Sequence, residues 1–333
     1  MSEAVRLPER ATPTAPLRIG VIGAGKHASR SHIAPLCACP DALVVAVADP
    51  SDDVLDSVFE THPEIAWHPT AAAMLEAVPL DAVVIASPDR FHLEHLRQAL
   101  DHGLSALVEK PLARDSQQLE GLEHALDEAE ERHLVVSSCH PRHFDPPFLY
   151  YYMERLFYAH QLGRPLGLGF DFSYHRPSQR GLHTGLLMDH LSHELDLANW
   201  YFGPSPTALE RHADSDLRYA VSGIRDDGIL LTFQGTRTLE RHVYRERMRI
   251  RHERGTVEVD ASTGTVIVTN DEQSGHRSLS CGATDYDRRF GALNLNFVRA
   301  VLGREPSYLT RGAMLVNTAA GVALTETGVY RSA

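Results

Sequence analysis

The first half of the chain alternates short apolar runs with stretches of helical periodicity. The apolar runs are nearly continuous, which is typical of strands that are covered on both faces. They lie at 17–24, 42–48, 82–87, 106–110 and 134–138. The helical patterns between them lie around 27–38, 52–62, 70–78, 91–102 and 115–131. This alternation of strand and helix predicts a parallel, doubly wound α/β sheet.

The pattern changes near residue 140. A helix is predicted around 150–160, before a strand at 166–174, and the leucine-rich segment LLMDHLSHELDLANW at 186–200 predicts another helix. Further along, apolar and polar residues alternate with period two, which predicts antiparallel strands with one solvated or partner-facing side. These strands lie within 228–236, 241–255, 256–261 and 265–270. One strand face would carry the stripe Arg245, Arg247, Arg249 and Arg251.

The turn after the first apolar run reads G-A-G-K-H-A and contains Gly23, Gly25 and Ala28. In a dinucleotide-binding turn the first glycine permits the tight bend, and the second lets the backbone approach a pyrophosphate. A small third residue lets the following helix pack closely. The helix N terminus then faces the phosphates, so we predict that Lys26 and His27 also lie at the cofactor.

Asp49 ends the second apolar run. An acid at this distance from the glycine turn hydrogen-bonds the ribose 2′-hydroxyl of NAD and repels the 2′-phosphate of NADP. No arginine follows in D-P-S-D-D to receive that phosphate, so NAD is favoured over NADP. The alternative is that Asp49 only caps the helix that follows Pro50.

Length and charge narrow the class of partner. The chain has 333 residues, enough for two domains. Acids outnumber bases 44 to 32, a formal charge of -12, which argues against a nucleic-acid partner and against a polybasic membrane contact. The N terminus lacks the apolar segment of a signal peptide, and no long apolar span follows. We therefore expect a cytoplasmic protein whose partner is a small molecule.

Two further segments identify a family. They are D-A-V-V-I-A-S-P-D-R-F-H at 81–92 and L-S-A-L-V-E-K-P-L-A at 104–113. Together with the glycine turn they resemble the glucose–fructose oxidoreductase / inositol dehydrogenase / rhizopine-catabolism family (Gfo/Idh/MocA). The combination of E-K-P with the later D-H-L-S-H-E-L-D is the most specific part of the resemblance, which extends over about 17–330.

The resemblance implies a domain organisation and an assembly. A flexible tail at 1–16 would precede an NAD(P)-binding Rossmann domain at 17–139. Residues 140–333 would form an α+β domain with an open, mostly antiparallel sheet. The outer face of that sheet would make a homodimer or homotetramer.

The resemblance also implies that Lys110, Asp189 and His193 meet at the nicotinamide. His193 would be the general acid/base, Asp189 would orient it, and Lys110 would bond the same substrate oxygen. A histidine pKa near 6.5 suits this work, and desolvation could lower the pKa of Lys110. From the residues alone, Asp189 and His193 could instead be an i,i+4 pair that supports the helix. Further cofactor contacts are expected at Ser87, Pro88, His92 and Glu109.

Substrate contacts are expected around the same centre. Arg142 matches an arginine that lines the site in the inositol dehydrogenase branch, and its alternative is a salt-bridged surface arginine. The other candidates are His175, His183 and His190, together with Lys110, Asp189 and His193. No metal is predicted, because Asp189, His190, His193 and Glu194 fan around their helix without the H-E-x-x-H spacing.

These observations predict an NAD(H)-dependent oxidoreductase that interconverts a secondary alcohol and a ketone on a sugar, cyclitol or related polyol. Three alternatives stay open. The chain could reduce an imine or a specialised biosynthetic ketone, it could use NAD transiently as a glycosidase-like relative, or it could be a catalytically silent dinucleotide-binding sensor.

Overall fold

The structure is a computed structural model that describes residues 16–51, 60–175, 185–205, 207–238, 244–272 and 276–332. Most of the helix predicted at 52–62 lies outside the described residues, as does the candidate substrate residue His183. None of the helices in the described part is long and apolar enough to cross a membrane.

The first sheet has six parallel strands in the order β3-β2-β1-β4-β5-β6. Its strands are β1 (Leu17–Ile22), β2 (Ala42–Ala48), β3 (Ala66–His68), β4 (Ala82–Ile85), β5 (Ser105–Val108) and β6 (Val136–Ser138). The predicted doubly wound parallel sheet is confirmed, since the order reverses at β1. The sequence analysis missed β3, because three residues are too few to form a recognisable apolar run.

Helices connect these strands. They are α1 (Lys26–Ala28), α2 (Ala34–Cys37), α3 (Ala71–Ala77), α4 (His92–Asp101) and α5 (Ser116–Glu131). A π-helical segment, Ser29–Ile33, joins α1 to α2. The side chains of Thr70 and Asp115 accept hydrogen bonds from the first-turn N–H groups of α3 and α5, which explains why those two helices begin there.

The second sheet has nine strands in the order β14-β13-β12-β11-β7-β10-β9-β8-β15. They are β7 (Pro165–His175), β8 (Thr207–Asp214), β9 (Arg218–Arg225), β10 (Leu230–Thr238), β11 (Tyr244–His252), β12 (Gly255–Asp260), β13 (Thr265–Asn270), β14 (His276–Ser280) and β15 (Val329–Arg331). Only the β7–β10 pair is parallel, so the predicted mostly antiparallel sheet is confirmed. The four arginines of β11 share its exposed face, also as predicted.

Four longer helices complete the described chain. They are α6 (Pro146–Leu162), α7 (Leu186–Phe202), α8 (Tyr286–Val301) and α9 (Arg311–Glu326). Helix α7 buries Leu187, Leu191 and Leu195 against the inner face of the second sheet, in one cluster with Phe170 and Phe233. Burial of each such side chain contributes about 1.5 to 3 kcal/mol, and it holds α7 in a single orientation.

Helix α8 packs against the first sheet although it comes late in the chain. Leu293, Phe297 and Val298 share a core cluster with Leu17 and Ile19 of β1. The two sheets are therefore connected by packing as well as by the chain, and the domain boundary at 139/140 stays a prediction.

Candidate active site

The turn after β1 lies at the carboxyl edge of the first sheet. Gly23 has φ +89°, and a Cβ atom at this position would lie 2.6 Å from the backbone nitrogen of Ser87. Only glycine fits this bend without displacing the end of β4. A Cβ atom on Gly25, by contrast, would have no neighbour within 4 Å in the structure as described. The backbone at Gly25 is therefore open to a ligand.

Asp49 lies directly after β2, beside this turn. Its Oδ2 accepts a hydrogen bond from Ala24 N at 2.9 Å, and its Oδ1 accepts one from Ser51 N at 3.0 Å. The carboxylate therefore contacts the glycine turn and also caps the segment after Pro50. Since Lys26 and His27 are exposed on the same edge, the open turn and the nearby carboxylate fit a dinucleotide.

Glu109, the residue directly after β5, is buried between two histidines. His27 Nε2 lies 2.7 Å and His32 Nε2 3.0 Å from Glu109 Oε1. Burial alone would raise the pKa of Glu109, but His27 and these hydrogen bonds hold that pKa well below its usual value. The other nitrogen of His32 contacts Asn294 of α8 at 3.1 Å. Glu109 thus connects the glycine turn to β5.

His27, His32 and Glu109 are also the one group in the described part of the chain whose side chains could together hold a metal ion. Their nitrogen–oxygen distances are those of hydrogen bonds. The sequence analysis did not single out His32, which the π-helical segment carries into the interior with no exposure to solvent.

His92 lies behind the loop that follows β4. Its Nδ1 is 2.8 Å from the carbonyl oxygen of Pro111, and its Nε2 is 2.8 Å from that of Ser87. His92 is buried, so it supports the loop from the inside rather than from the open edge. Ser87 Oγ contacts His95 Nδ1 at 2.9 Å, and Pro88 is exposed before the short 3-10 turn Asp89–Phe91.

Lys110 and Asp189 form an ion pair between the two halves of the molecule. Lys110 Nζ donates to the Asp189 carboxylate and, at 2.9 Å, to the Asp189 backbone carbonyl in the first turn of α7. The Tyr174 hydroxyl donates to the same carboxylate at 3.4 Å. Burial alone would lower the pKa of Lys110, but Asp189 outweighs it and the pKa is raised. The expectation of a lowered lysine pKa was therefore wrong.

His193 lies one turn further along α7 and is partly exposed. Burial, and then the positive charge of Arg142, hold its pKa well below 6.5. His193 is therefore neutral at pH 7, rather than poised near its ordinary pKa. Its Nδ1 is buried, and no described residue forms a hydrogen bond with that atom. Asp189 was expected to orient this ring, but in the structure its carboxylate pairs with Lys110.

His140 stands edge-on to His193, with ring centroids 5.1 Å apart. Burial lowers the pKa of His140 to about 4. Two neutral imidazoles therefore lie beside the Lys110 ammonium, which leaves the lysine as the charged hydrogen-bond donor of this group at pH 7.

Arg142 lies in the 3-10 turn Pro141–Phe144 and is buried. Its Nη2 is 2.5 Å from Glu246 Oε1 on β11, and the Tyr244 hydroxyl donates to the other oxygen of Glu246. Arg142 is thus salt-bridged, but in the interior rather than on the surface. The sequence analysis missed Glu246, although it is the one acid on the inward face of a strand whose other inward residues include Met248 and Ile250.

The remaining candidates have mixed placements. His190 is buried and stacks on Phe172 with ring centroids 3.9 Å apart. His175 is the last residue of β7, and its buried Nδ1 has no hydrogen-bond partner among the described residues. Asp196 lies 2.7 Å from His143 Nε2.

Glu194 is a second buried acid that the sequence analysis did not explain. It accepts a 2.5 Å hydrogen bond from the Tyr219 hydroxyl of β9. Burial raises the pKa of Glu194 to about 8, despite the opposing effects of Arg142 and Tyr219. Helix α7 thus presents Asp189, paired with Lys110, and a mostly neutral Glu194 on different faces.

The first sheet is parallel and carries an open glycine turn and an acid after β2, and it faces a second sheet that carries charged groups. These features define a dinucleotide-binding protein of the Rossmann class. The model of an oxidoreductase family with an NAD-binding Rossmann fold (GFO_IDH_MocA) matches residues 17–140. Residues 17–140 therefore match the Gfo/Idh/MocA family, as the motifs of this part of the chain predicted.

Curated relatives and a solved structure agree with this. Inositol 2-dehydrogenase of Streptomyces avermitilis is 32% identical over 219 residues, which are 65% of this chain and 62% of that protein. Inositol 2-dehydrogenase 4 of Saccharopolyspora erythraea is 31% identical over 216 residues, 63% of this chain and 61% of that protein. The fold matches scyllo-inositol dehydrogenase of Lactobacillus casei with bound NAD(H) and scyllo-inositol, with TM-score 0.79, 18% identity, and coverage of 95% and 99%. The chain therefore aligns with less than two thirds of the length of these two curated relatives.

The glycine turn gives a first prediction. Gly25→Ala should leave the melting temperature close to that of the wild type, because the added methyl meets open space. It should nevertheless weaken NAD binding by about tenfold or more, because the methyl would occupy the space through which the pyrophosphate approaches the backbone. Gly23→Ala is the contrast and should destabilise the fold by about 1 to 3 kcal/mol through backbone strain. Thermal melts and NADH fluorescence titrations measure both. Unchanged NADH affinity in Gly25→Ala would contradict this assignment of the turn.

Glu194 gives a second prediction. Between about pH 5 and 8 the unfolded chain has an ionised Glu194, whereas the folded protein keeps the proton, so this residue makes stability fall as pH rises. Glu194→Gln removes that loss, and its stability relative to the wild type should rise by roughly 3 to 5 kcal/mol over this interval. Urea unfolding at a series of pH values measures the difference. The matched control is Glu123→Gln on exposed α5, which should show no such trend. Parallel curves for Glu194→Gln and the wild type would show that Glu194 is ionised when folded.

Proposed function

We propose that this protein is an NAD(H)-dependent oxidoreductase that interconverts a secondary alcohol and a ketone on a sugar, cyclitol or related polyol. The observation that carries the proposal is the Lys110–Asp189 ion pair, which joins the carboxyl edge of the first sheet to α7 one turn before His193. The relatives named inositol 2-dehydrogenase support a cyclitol-like substrate.

The cofactor would lie along the open glycine turn. Gly23 and Gly25 would admit the pyrophosphate, and Asp49 would accept the ribose hydroxyls, which supports NAD over NADP. Glu109 holds His27 at this edge through their 2.7 Å contact. When bound, NAD supplies the hydride acceptor for alcohol oxidation.

The protein's own groups would handle the proton. His193 is neutral at pH 7 because burial and Arg142 disfavour its charged form, so it is the base that can take the proton of a substrate hydroxyl. Lys110 keeps its charge beside Asp189 and would donate a hydrogen bond to the same oxygen. That bond stabilises negative charge on the oxygen as the hydroxyl proton leaves. In ketone reduction the protonated His193 would return the proton to that oxygen, and Lys110 would again donate its hydrogen bond.

Substitution of these groups is the test of the function. Lys110→Ala and His193→Ala should each bind NADH as the wild type does and lose about 10²- to 10⁴-fold in kcat, which is the usual contribution of a positioned acid/base group. The measurement is NADH formation from NAD over a panel of inositols, aldoses and amino sugars, from about pH 6 to about pH 9.

The matched control is His124→Ala on the exposed face of α5, which should keep full activity. A wild type that binds NADH but oxidises none of the panel, or variants as active as the wild type, would overturn the proposed alcohol oxidation.

We further propose that the protein works in the cytoplasm as a homodimer or homotetramer formed through the outer face of the second sheet. The support is the ordered polar surface there, in which Arg247 and Arg249 pair with Asp260 and Glu258 of the neighbouring strand. The alternative interface is an apolar stripe on α6, where Met153, Leu156 and Phe157 are at least half exposed.

Light scattering on two variants separates these surfaces. Thr232→Arg, on the exposed face of β10, should convert the oligomer into smaller species, because a long charged side chain cannot be buried unpaired at an interface. Leu156→Asp on α6 should leave the assembly unchanged. The opposite pattern would assign the interface to α6, and a monomeric wild type would exclude the assembly.

A further inference from the structure

Arg237 is a buried arginine of β10. It is only 7% exposed, and its Nε and Nη2 atoms are buried with no hydrogen-bond partner in the structure as described. No ion pair reaches it from any described residue. A charge taken out of water in this way is costly unless a partner compensates it. An anion bound at Arg237 would therefore stabilise it.

The strand register places Arg237 on the active-site face of the second sheet. Along β10 the buried residues alternate as Leu231, Phe233, Gly235 and Arg237, while the residues between them are exposed. In the parallel pair with β7, Arg237 is directly opposite Tyr174. Since neighbouring residues in a parallel pair point to the same face, the Arg237 and Tyr174 side chains extend from the same face of the sheet.

Tyr174 in turn contacts the proposed catalytic pair. Its hydroxyl donates to the Asp189 carboxylate at 3.4 Å, and its ring lies 5.5 Å from that of His190. Arg237 is therefore on the strand next to Tyr174, on the side of β7 opposite to β11, where Arg142 pairs with Glu246. The two arginines flank the β7 strand end from different directions.

Four carboxylates of this region are engaged with other residues. Asp189 is bound by Lys110, and Glu194 accepts from Tyr219. Asp214 pairs with Arg211 at 3.3 Å, and Glu246 pairs with Arg142. These four acids therefore do not neutralise Arg237.

We propose that Arg237 is a specificity residue that receives an oxyanion of the substrate, a carboxylate or a phosphate on a sugar-type alcohol. A guanidinium suits this because its fork of N–H groups matches both oxyanions in bidentate geometry. The inference rests on the proposed function for the identity of the substrate, and it narrows that function to acidic sugars and sugar phosphates. Binding of the oxyanion itself does not depend on turnover.

The test compares matched acidic and neutral probes on the NAD-loaded protein. Calorimetry is used with D-glucuronate and D-glucose 6-phosphate, each against D-glucose at equal ionic strength. The wild type should bind at least one acidic probe about tenfold or more tightly than D-glucose, as a charge-assisted hydrogen bond supplies. Arg237→Gln should lose this preference. Arg218→Gln, which removes an exposed arginine from the adjacent strand β9, should keep it.

The variants also separate binding from a structural role. Since Arg237→Gln removes an uncompensated charge, it should melt no lower than the wild type without ligand. Arg237→Lys keeps the charge but loses the fork, and it should retain only part of the acidic preference. If Arg237→Gln does not fold, or melts well below the wild type, Arg237 is structural and the proposal falls.

The failure of this inference is distinguishable from failure of the proposed function. A wild type that binds neither acidic probe more tightly than D-glucose overturns the oxyanion site, whatever its activity on neutral alcohols. An Arg237-dependent acidic preference with no NADH formation would support the site while overturning alcohol oxidation. An acidic preference that survives in Arg237→Gln would also overturn the assignment to this residue.

Discussion

The ion pair between Lys110 and Asp189 is the interaction on which the arrangement of the site depends. It joins the end of β5 in the first sheet to the first turn of α7 on the second sheet, across 79 positions of sequence. Both side chains are largely buried, so the removal of either would leave an uncompensated charge in the interior. The pair therefore holds α7, which carries His193, against the end of β5.

The charges around this pair determine which group can exchange a proton. Lys110 is held positive by Asp189, and Arg142 is held by Glu246. Both positive charges act on His193 and, with burial, keep it neutral. Glu194, on another face of α7, keeps its proton at neutral pH because burial raises its pKa to about 8. Under the proposed function, His193 would be the free base and Lys110 the fixed hydrogen-bond donor, an arrangement suited to removal of a hydroxyl proton.

Some parts of this site could be predicted because they depend on neighbours along the chain. Gly23 and Asp49 follow apolar runs that become β1 and β2, and Lys110 follows the run that becomes β5. Glu246 and Tyr219 could not be assigned in the same way, since their partners Arg142 and Glu194 come from distant strands and helices. The strands β8 and β9 were also missed, because their alternation contains too few apolar residues to stand out from the surrounding loops.

The sequence by itself determined the parallel sheet, the dinucleotide turn, the mostly antiparallel second sheet and the family that residues 17–140 match, because strand and helix periodicity and short motifs are local properties of the chain. The tertiary structure decided how the ionisable residues are paired and charged. It paired Asp189 with Lys110 rather than with His193, and it buried His92 behind its loop. It also placed Arg237 opposite Tyr174, with no hydrogen-bond partner for its Nε and Nη2 atoms among the described residues. The physical reason is that pairing and desolvation depend on which distant segments come together in space, and residue spacing along the chain does not encode those distances.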